Sequence, residues 1–395
     1  MVLKTGLRVL LFDNDLASPT LLDDLTSRVE KLRFATALHG GFKYANFSLA
    51  SSLPEAWEYL AEAGKTSGRH FSRLLISEEQ LTIWEGRITD IRFAYSGGEI
   101  GLRFTAQGYW GSLRDQFYSD DDGSRTDWTS GSHTADDIIK EMLTAECPSI
   151  NSDQSNIDAN SRDIAGINLS ARAYPQDIII TKLAPISDSD NSMWFFSIWE
   201  DRIPYWKKRS IATLDYRIRL ADTSNLELNQ SAVEMRNAIM PLRENTDGTF
   251  TEGTTVTNAT SIGFYTRREM LFQLPIGSTA NTQADASTTL AEERGYPVQA
   301  QNFNISGHVY QAFSGDAGTN LNEVPKWRVR AGETIRIDDL VPQTIATPAF
   351  DRLRTFHIRE TIYDADNDVL TIHPDTTPRT LANIMSNLAN VESPR

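Results

Sequence analysis

Alternating hydrophobic and polar positions within residues 71–118 form the most regular pattern in the chain. Apolar residues recur in short alternating runs over 81–93 and alternate again over 100–106, with the glycine-rich segment 96–99 between them. A period of two on either side of a glycine pair is typical of a β-hairpin, because glycine supplies the positive φ of a tight turn. This hairpin is the element around which we expect the first domain to be organised.

Two details of the hairpin carry further predictions. Gly86 interrupts the first strand, which indicates either a β-bulge or the close approach of another backbone. We expect a bulge there to bend the strand so that the sheet can close. Tyr109 and Trp110 follow the second strand. We expect them to plug the end of the first barrel where the chain leaves it.

The pattern over residues 1–118 predicts a β domain with one helix. Pro54 suits the first turn of that helix, over 54–63, and Gly64 ends it. Several strands with one crossing helix indicate a small barrel or sandwich. Strands are expected at 7–12, 31–38, 44–49, 71–76, 81–95 and 99–108.

Residues 119–207 differ from this pattern and predict an inserted, acidic α+β domain. Apolar residues at helical spacing follow Thr134, which is a suitable N-cap. A second helix is expected over 175–183, beginning at Pro175. Aromatic strands are expected over 193–199 and 203–206.

Residues 208–376 predict a second β-barrel domain, and 377–395 a C-terminal helix and tail. The expected fold class is mainly β (β+α), with two tube-type β-barrel domains and the inserted domain between them. The expected elements are a strand at 214–220, a loop or an irregular hairpin at 245–258, a loop at 315–322, a helix at 279–294, strands at 303–309, a hairpin of 327–329 with 335–337, a hairpin of 356–362 with 369–372, and a closing helix at 378–388.

Length and composition are those of a soluble globular protein of two or three domains: 395 residues with 40% hydrophobic content. No apolar run approaches the ~20 residues of a membrane span, and the start of the chain does not read as a signal peptide. Cys147 is the one cysteine, so an intrachain disulfide is impossible. We expect it to be half-buried near a helix end.

The net charge of -15 argues against a protein that grips nucleic-acid phosphates, because such a protein needs clustered Lys and Arg. Residues 119–163 alone hold eleven acidic and three basic side chains. Ordinary solubility accounts for this balance, and so does a surface that must not bind DNA, such as a channel wall.

The sequence predicts no catalytic, cofactor-binding or metal site. Phosphate-loop, dinucleotide, zinc-protease and serine-hydrolase motifs do not occur, and the six histidines are scattered. His357 is expected to be an ordinary strand residue. The acidic run 364–368 with Asp375 has calcium-loop spacing but lacks its glycine, which favours a solvated hairpin turn. The clusters 120–122 and 188–190 are interpreted in the same way.

The aromatic segment 194–206 leaves two alternatives open. Glu200 and Asp201 could act as paired carboxylates of a glycosidase, although a polar β-turn is favoured. Four aromatic residues could form a sugar-binding platform, although packing in the core is favoured. They are Trp194, Trp199, Tyr205 and Trp206.

Four segments together resemble one family of proteins. The resemblance lies in their order, since none is a catalytic motif. The chain resembles the tail-tip, or minor tail, proteins of long-tailed bacteriophages that form the baseplate hub, the gp27-like hub family. The segments are WEGRITDI…GYWGSL (84–113), TADDIIKEMLTAECPSI (134–150) with YPQDIIITKLA downstream, WFFSIWEDRIPY (194–205), and WRVRAGETIRIDDL (327–340) with FHIRETIYD.

The resemblance implies a structural protein rather than an enzyme, without cofactors. Three chains of two barrels each would form a homotrimeric ring that closes the tail tube and leaves a lumen for DNA passage. Implied partners are the distal tail protein and tail tube, the tape measure protein, and a central spike or tail fibre. DNA would contact the ring only in transit, without membrane insertion by this chain. The implied location is the virion tail tip, after assembly in the host cytoplasm.

Two other functions stay open on the sequence. One is a glycan-binding or cell-wall-degrading tail protein, which requires exposed tryptophans on one face or two carboxylates across a cleft. The other is a receptor-binding fibre adaptor that neighbours the hub.

Overall fold

The computed structural model describes residues 6–13, 15, 18–50, 56, 59, 71–96, 99–118, 133–160, 173–184, 194–208, 214–230, 235–244, 249–274, 298–312, 322–340 and 354–375. These residues are mainly β, which confirms the predicted fold class. No helix among them is long and apolar enough to cross a membrane.

The first β unit is a seven-stranded sheet in the order β2–β1–β5–β6–β7–β4–β3, with antiparallel neighbours. Its strands are β1 Leu7–Phe12, β2 Leu21–Asp24, β3 Val29–Ala37, β4 Gly40–Ala50, β5 Arg73–Glu78, β6 Leu81–Ser96 and β7 Glu99–Gln107. The predicted central hairpin is confirmed as β6–β7, which pairs from Arg87 with Gln107 to Ser96 with Glu99.

The β6 bulges do not fall at Gly86. The register shifts between Ile88 and Asp90 in the β6–β7 ladder, and between Ile76 and Ser77 in the β5–β6 ladder. Gly86 instead marks a close approach, because an added Cβ would lie 2.3 Å from the carbonyl oxygen of Gln107. Of the two alternatives predicted for this glycine, the structure supports the second.

The inserted unit has its own core and joins the first sheet through one short pairing. It comprises helix α1 Ala135–Glu146, helix α2 Pro175–Ile178 continuing as a π-helical turn Ile179–Leu183, and strands β8 Trp194–Ile198 and β9 Pro204–Lys208. Strands β8 and β9 form a hairpin, and β8 pairs in parallel with the start of β4. The predicted helices and aromatic strands are therefore confirmed.

Two local predictions for this unit need correction. Thr134 precedes α1, but its hydroxyl donates to Asp136 at 2.5 Å instead of capping the backbone. Tyr109 and Trp110, in the 3-10 turn Tyr109–Arg114, pack into the core of the inserted unit, with α1 and β8, rather than plugging the first barrel.

The third region contains a second β unit and a separate small sheet. Its elements are β10 Tyr216–Arg219, β11 Thr223–Ser224, β12 Leu228–Gln230, β13 Ala238–Glu244, β14 Phe250–Glu252, β15 Val256–Thr257, α3 Ala259–Tyr265, β16 Glu269–Leu274, β17 Val298–Ala300, β18 Phe303–Ile305, β19 Val309–Gln311, β20 Asn322–Val324, β21 Thr334–Asp338, β22 Thr355–Asp364 and β23 Val369–Pro374. The predicted hairpin of 356–362 with 369–372 is confirmed as β22–β23.

Strand β22 joins the two β units into one sheet. Its first half pairs with β21, and its second half pairs antiparallel with β3, from Glu360 opposite Ala37 to Asp364 opposite Arg33. A single hydrophobic core runs through both units. Phe34 and Tyr363 meet within it, with ring centroids 5.3 Å apart. The two units therefore share both a ladder and a core.

A four-stranded sheet of β13–β16 with helix α3 is inserted within the second β unit. The β12–β17 ribbon leads into and out of this satellite unit. The sequence predicted a loop or an irregular hairpin over 245–258, and the structure has two short strands there, β14 and β15, which each pair with β13 rather than with each other. The short, polar strands there lack an apolar alternation, which explains the difference.

The hairpin predicted from 327–329 and 335–337 is wrong. Lys326–Arg328 forms a 3-10 turn, and β21 pairs in parallel with β10 and antiparallel with β22. Local alternation cannot reveal a partner strand over a hundred residues away. The helices predicted over 279–294 and 378–388, residues 315–321 of the predicted loop and the acidic clusters 120–122 and 188–190 lie outside the described residues. Of the helix 54–63, Ala56 and Tyr59 are described, and both are helical and buried.

Candidate functional site

A buried carboxylate pairs with two arginines that come from different units. Glu85 of β6 is fully buried. Its Oε1 lies 2.9 Å from Nε of Arg73 on β5 and 3.6 Å from Nε of Arg202 in the β8–β9 turn. Its Oε2 accepts a hydrogen bond of 2.8 Å from the backbone N–H of Asp201. Arg202 belongs to the inserted unit, whereas Glu85 and Arg73 belong to the first sheet, so the cluster ties these two parts together. Removing any one of the three side chains would leave a buried charge without a partner.

The β8–β9 turn has a strained backbone that neighbouring residues fix. In the 3-10 turn Glu200–Arg202, Asp201 and Arg202 have φ angles of 56° and 62°. Left-handed backbone in non-glycine residues costs roughly 1–3 kcal/mol each and persists where the surroundings determine it. Asn151 supplies part of that support, donating from its backbone N–H to the carbonyl of Arg202 and from Nδ2 to that of Asp201.

Arg330, which precedes β21, brings the second β unit into the same junction. Its Nη1 donates to both carboxylate oxygens of Glu200, at 3.0 and 2.9 Å, and its Nη2 donates to the Thr82 carbonyl at 3.0 Å. The guanidinium carbon lies 5.6 Å from the ring centroid of Phe42 and 5.1 Å from that of Trp199. One side chain of the second unit therefore contacts both other units.

The loop around Arg330 adds hydrogen bonds to the first β unit. Glu78 Oε2 accepts from Arg328 Nη2 at 2.7 Å and from Trp327 Nε1 at 3.3 Å. The backbone N–H of Ala331 donates to the buried hydroxyl of Thr36 at 2.9 Å. These contacts, with the Arg330 bonds, make one continuous polar junction among the first β unit, the inserted unit and the second β unit. We refer to it as the three-unit junction.

Burial shifts the proton affinity of acids within this junction. Desolvation raises the pKa of Glu85 above its usual value, against the opposing effect of Arg73 and Arg202. Desolvation also raises the pKa of Glu333 to about 7, although the Arg330 backbone N–H donates to Glu333 Oε2 at 2.8 Å. The charged side chains of the junction pair between units. This pairing fixes the placement of the units relative to one another.

The tryptophans considered as a sugar platform are in the core. Trp194, Trp199 and Trp206 are 4%, 8% and 0% exposed. Trp194 stacks on Trp206 with centroids 5.4 Å apart, and Trp206 Nε1 donates to Asn160 Oδ1 at 2.7 Å. Tyr205 is partly buried against the main core. Because buried rings present no face to a glycan, the core interpretation is confirmed.

The acidic candidates have structural partners. Glu200 pairs with Arg330, which supports the turn interpretation over the glycosidase one. In the β22–β23 turn, Asp364 Oδ1 accepts from the backbone N–H groups of Asp366 and Asn367, as the solvated hairpin turn predicts. Among the described residues, no group of three or more His, Cys, Asp or Glu side chains could hold a metal ion.

The remaining single-residue predictions concern His357 and Cys147. His357 is a buried residue of β22 opposite Thr334, which confirms that it is a strand residue. Cys147 ends α1 and is 2% exposed, so it is more buried than predicted. Burial raises the pKa of its thiol to about 12, which keeps it protonated at neutral pH.

Sequence reasoning missed the three-unit junction. Glu85, Arg202 and Arg330 all lie in segments that carried the family resemblance, but their partners are distant. Glu85 is 116 residues from Asp201, and Arg330 is 130 residues from Glu200. One signal was available: the acidic Glu85 stands beside Trp84 in an otherwise apolar part of a central strand.

Solved tail proteins share the fold of this chain along nearly its whole length. Neither a protein-family profile nor a curated protein sequence matches it. The 43 kDa tail protein of prophage MuSo2 from Shewanella oneidensis superposes with a TM-score of 0.56 and 11% identity, over 93% of this chain and 97% of that one. A tail protein from Neisseria meningitidis MC58 gives 0.55 and 8%, over 96% and 99%. The prophage tail protein gp18 from Listeria monocytogenes EGD-e gives 0.57 and 10%, over 97% and 99%.

These identities are too low to carry function from one protein to another, but the superpositions cover both β units and the inserted unit together. The family resemblance found in the sequence is thus confirmed for the fold. The chain has the fold of these phage tail proteins.

Proposed function

We propose that this chain is a structural subunit of a phage tail tip, a baseplate hub ring that closes the tail tube and adapts it to a central spike or fibre. The observation that carries the proposal is the whole-length fold agreement with tail proteins of nearly equal length. A shared catalytic domain would have matched over part of the chain, whereas this match includes every described unit.

The fusion of two β units suits a ring adaptor. Both units join through the β3–β22 ladder and one core, and Arg330 fixes the inserted unit against both. A rigid pair of β units in each chain lets three chains present six units in a closed ring. Such a trimer could meet a six-fold tube on one side and a three-fold spike on the other.

Exposed apolar side chains mark surfaces that a ring could bury. On the β6–β7 hairpin, Phe93 is 42% and Tyr95 is 68% exposed. In the satellite unit, Phe264 and Leu271 are each 62% exposed. Aromatic residues of this kind are enriched at protein interfaces, so we assign the hairpin surface to contacts between copies of the chain or with the tail tube.

The acidic balance suits a lumen through which DNA passes. The net charge is -15, so acidic side chains outnumber the basic ones that would bind phosphates. We expect no measurable affinity for duplex DNA at ~0.1 M salt, measured by fluorescence anisotropy. Tight, salt-sensitive binding would contradict passage through the ring.

Mass photometry of the purified chain tests the assembly. We expect a species of three times the 44.3 kDa chain mass, populated more strongly as concentration rises. A parallel assay with purified cell wall tests the degrading alternative. A strictly monomeric protein that releases soluble wall fragments would overturn the proposal.

A further inference from the structure

Strand β16 of the satellite unit has an open edge. It pairs in parallel with β13 along its whole length, and its other edge has no partner strand among the described residues. An open edge presents a row of main-chain N–H and C=O groups with which another strand can pair. Most natural edges are protected by charge, by proline or by short length. The one charged residue of β16 is Glu269 at its start, so this edge is weakly protected.

The sheet that contains β16 also exposes apolar side chains on one face. Leu271 is 62% exposed and lies opposite Met240 of β13, and Phe250 of β14, 50% exposed, lies on the same face. The buried residues Ile239 and Phe272 point to the other face and belong to neither of the two large cores. Because exposed apolar patches mark interaction sites, this face favours a partner beside β16.

Strand β6 has a second long open edge. Its pairing with β5, extended by backbone hydrogen bonds, reaches Ile88, whereas its pairing with β7 continues to Ser96. Residues 89–96 of β6 therefore have a neighbouring strand on one side only, in the part of the chain that the structure describes. Phe93 and Tyr95 lie within this stretch and are 42% and 68% exposed. The β6 edge thus combines unpaired main-chain groups with exposed aromatic side chains, which are enriched at protein interfaces.

The other strands at the edges of the described sheets are short or protected. Strands β11, β12, β14, β15, β17 and β20 span two or three residues each. Strand β2 ends in two aspartates, and β9 begins at Pro204 and ends in two lysines. Charges and proline on an edge discourage pairing with another chain. The open edges of β6 and β16 are therefore the two that are best suited to accept a strand.

We propose that the β16 edge of one chain pairs with the open β6 edge of a second copy, forming a β-ladder between them. Main-chain hydrogen bonds along the ladder supply affinity, and contacts of Leu271 with Phe93 and Tyr95 supply specificity. Because the two edges are different surfaces, the contact is heterologous, and its repetition can close a ring. The contact rests on the proposed assembly of copies and identifies the strands that join them.

Thiol cross-linking between two variants tests the contact. Cys147 is 2% exposed and burial raises the pKa of its thiol to about 12, so added cysteines react in its place. Arg92→Cys and Leu271→Cys lie near the middle of the two open edges and come close whichever way the strands run. The two variants are mixed as dilute chains, concentrated and treated with bismaleimidoethane. We expect a cross-linked dimer in this mixture and none from either variant alone. Ser155→Cys, exposed on the inserted unit, replaces Arg92→Cys in the control mixture and should give none.

Leu271→Lys tests the same edge without a cross-linker. A lysine protects an edge from pairing, so we expect the dissociation constant of the assembly, measured by mass photometry, to rise about tenfold or more. Leu220→Lys, at a position 39% exposed and outside both edges, is the matched control and should leave it unchanged. Equal effects of the two lysines, or equal cross-linking of Arg92→Cys and Ser155→Cys, would overturn the contact while the ring itself stands. A wild-type chain that stays monomeric at every concentration would overturn both.

Discussion

At the scale of single residues, Gly86 shows how one position in a central strand is restricted by its neighbours. Its backbone is ordinary for a strand, so conformation is not the restriction. An added Cβ would lie 2.3 Å from the Gln107 carbonyl oxygen and 2.5 Å from the Trp84 ring. Real Cβ atoms essentially never approach other atoms so closely, and here one neighbour is backbone in a paired strand.

We expect Gly86→Val to lower the free energy of unfolding by about 3 kcal/mol or more, because overpacking forces strands β6 and β7 apart. The matched control is Gly101→Val on β7, where an added Cβ meets nothing within 4 Å. That variant should stay within about 0.5 kcal/mol of wild type or gain slightly from the β propensity of valine. Urea denaturation measures both. Equal stabilities of the two variants would count against this account.

Glu333 makes a pH-dependent contribution to stability. Burial raises its pKa from about 4.5 to about 7, so the folded chain binds a proton that the unfolded chain releases between these values. Its contribution therefore falls as pH rises through that window, by up to about 3 kcal/mol, and is level above it. Between these two pH values the Glu333 carboxyl is neutral in the folded chain and ionised in the unfolded chain. The folded state loses stability because it cannot release this proton without leaving a charge buried.

Glu333→Gln removes this titration and keeps an oxygen for the Arg330 N–H. We expect the variant to gain stability relative to wild type as pH rises from about 5 to about 7.5, measured by thermal unfolding at each pH. Glu79→Gln, in the exposed β5–β6 turn, is the control and should follow the wild-type pH profile. A constant difference between Glu333→Gln and wild type across this range would show that the pKa is not raised.

At the scale of elements, the three-unit junction explains how an inserted unit with its own core is held in place. Only two residue pairs connect β4 to β8 as strands. Side-chain contacts of Glu85, Arg202 and Arg330 supply the rest, and they place a strained turn where three units meet. Strain of this kind persists because the neighbouring residues fix it.

Arg330→Ala should weaken this junction. It leaves Glu200 without its partner and removes the guanidinium from between Phe42 and Trp199, which we expect to cost roughly 2 kcal/mol or more. Calorimetry should then separate unfolding of the inserted unit from that of the β units.

Arg92→Ala is the control, since its side chain is 77% exposed and pairs only locally with Asp90. It should change stability by less than about 0.5 kcal/mol. A single unshifted transition in Arg330→Ala would contradict the role of the junction.

Elements stabilised by neighbouring sequence were predictable, and those defined by distant partners were not. The β6–β7 hairpin, α1 and the β8–β9 aromatic hairpin follow from local periodicity and turn chemistry. The parallel pairing of β10 with β21 and the joining of β22 to β3 depend on segments more than a hundred residues apart. The pairing of β14 and β15 with β13 escaped prediction because both strands are short and polar. The junction escaped it because charge pairing between units has no sequence period.

At the scale of the whole molecule, the two β units share one core and one ladder, so each chain carries them as a joined pair. The proposed assembly needs surfaces outside that core, and the exposed face of the β6–β7 hairpin is one that we assign to it. We expect Tyr95→Ser to weaken the assembly about tenfold or more while leaving the thermal midpoint of the monomer unchanged, since the side chain is 68% exposed. Ser155→Glu, on the inserted unit, serves as a surface control. Mass photometry across a dilution series compares them, and an unaltered Tyr95→Ser assembly would exclude this hairpin from the interface.

The claim that the chain forms a tail-tip ring is tested most directly by negative-stain imaging of the purified protein at a concentration where mass photometry shows the assembled species. We predict closed particles with an open centre, three-fold symmetry and six β-unit densities around the lumen. Particles that are single chains, open filaments or rings without a central opening would contradict the account.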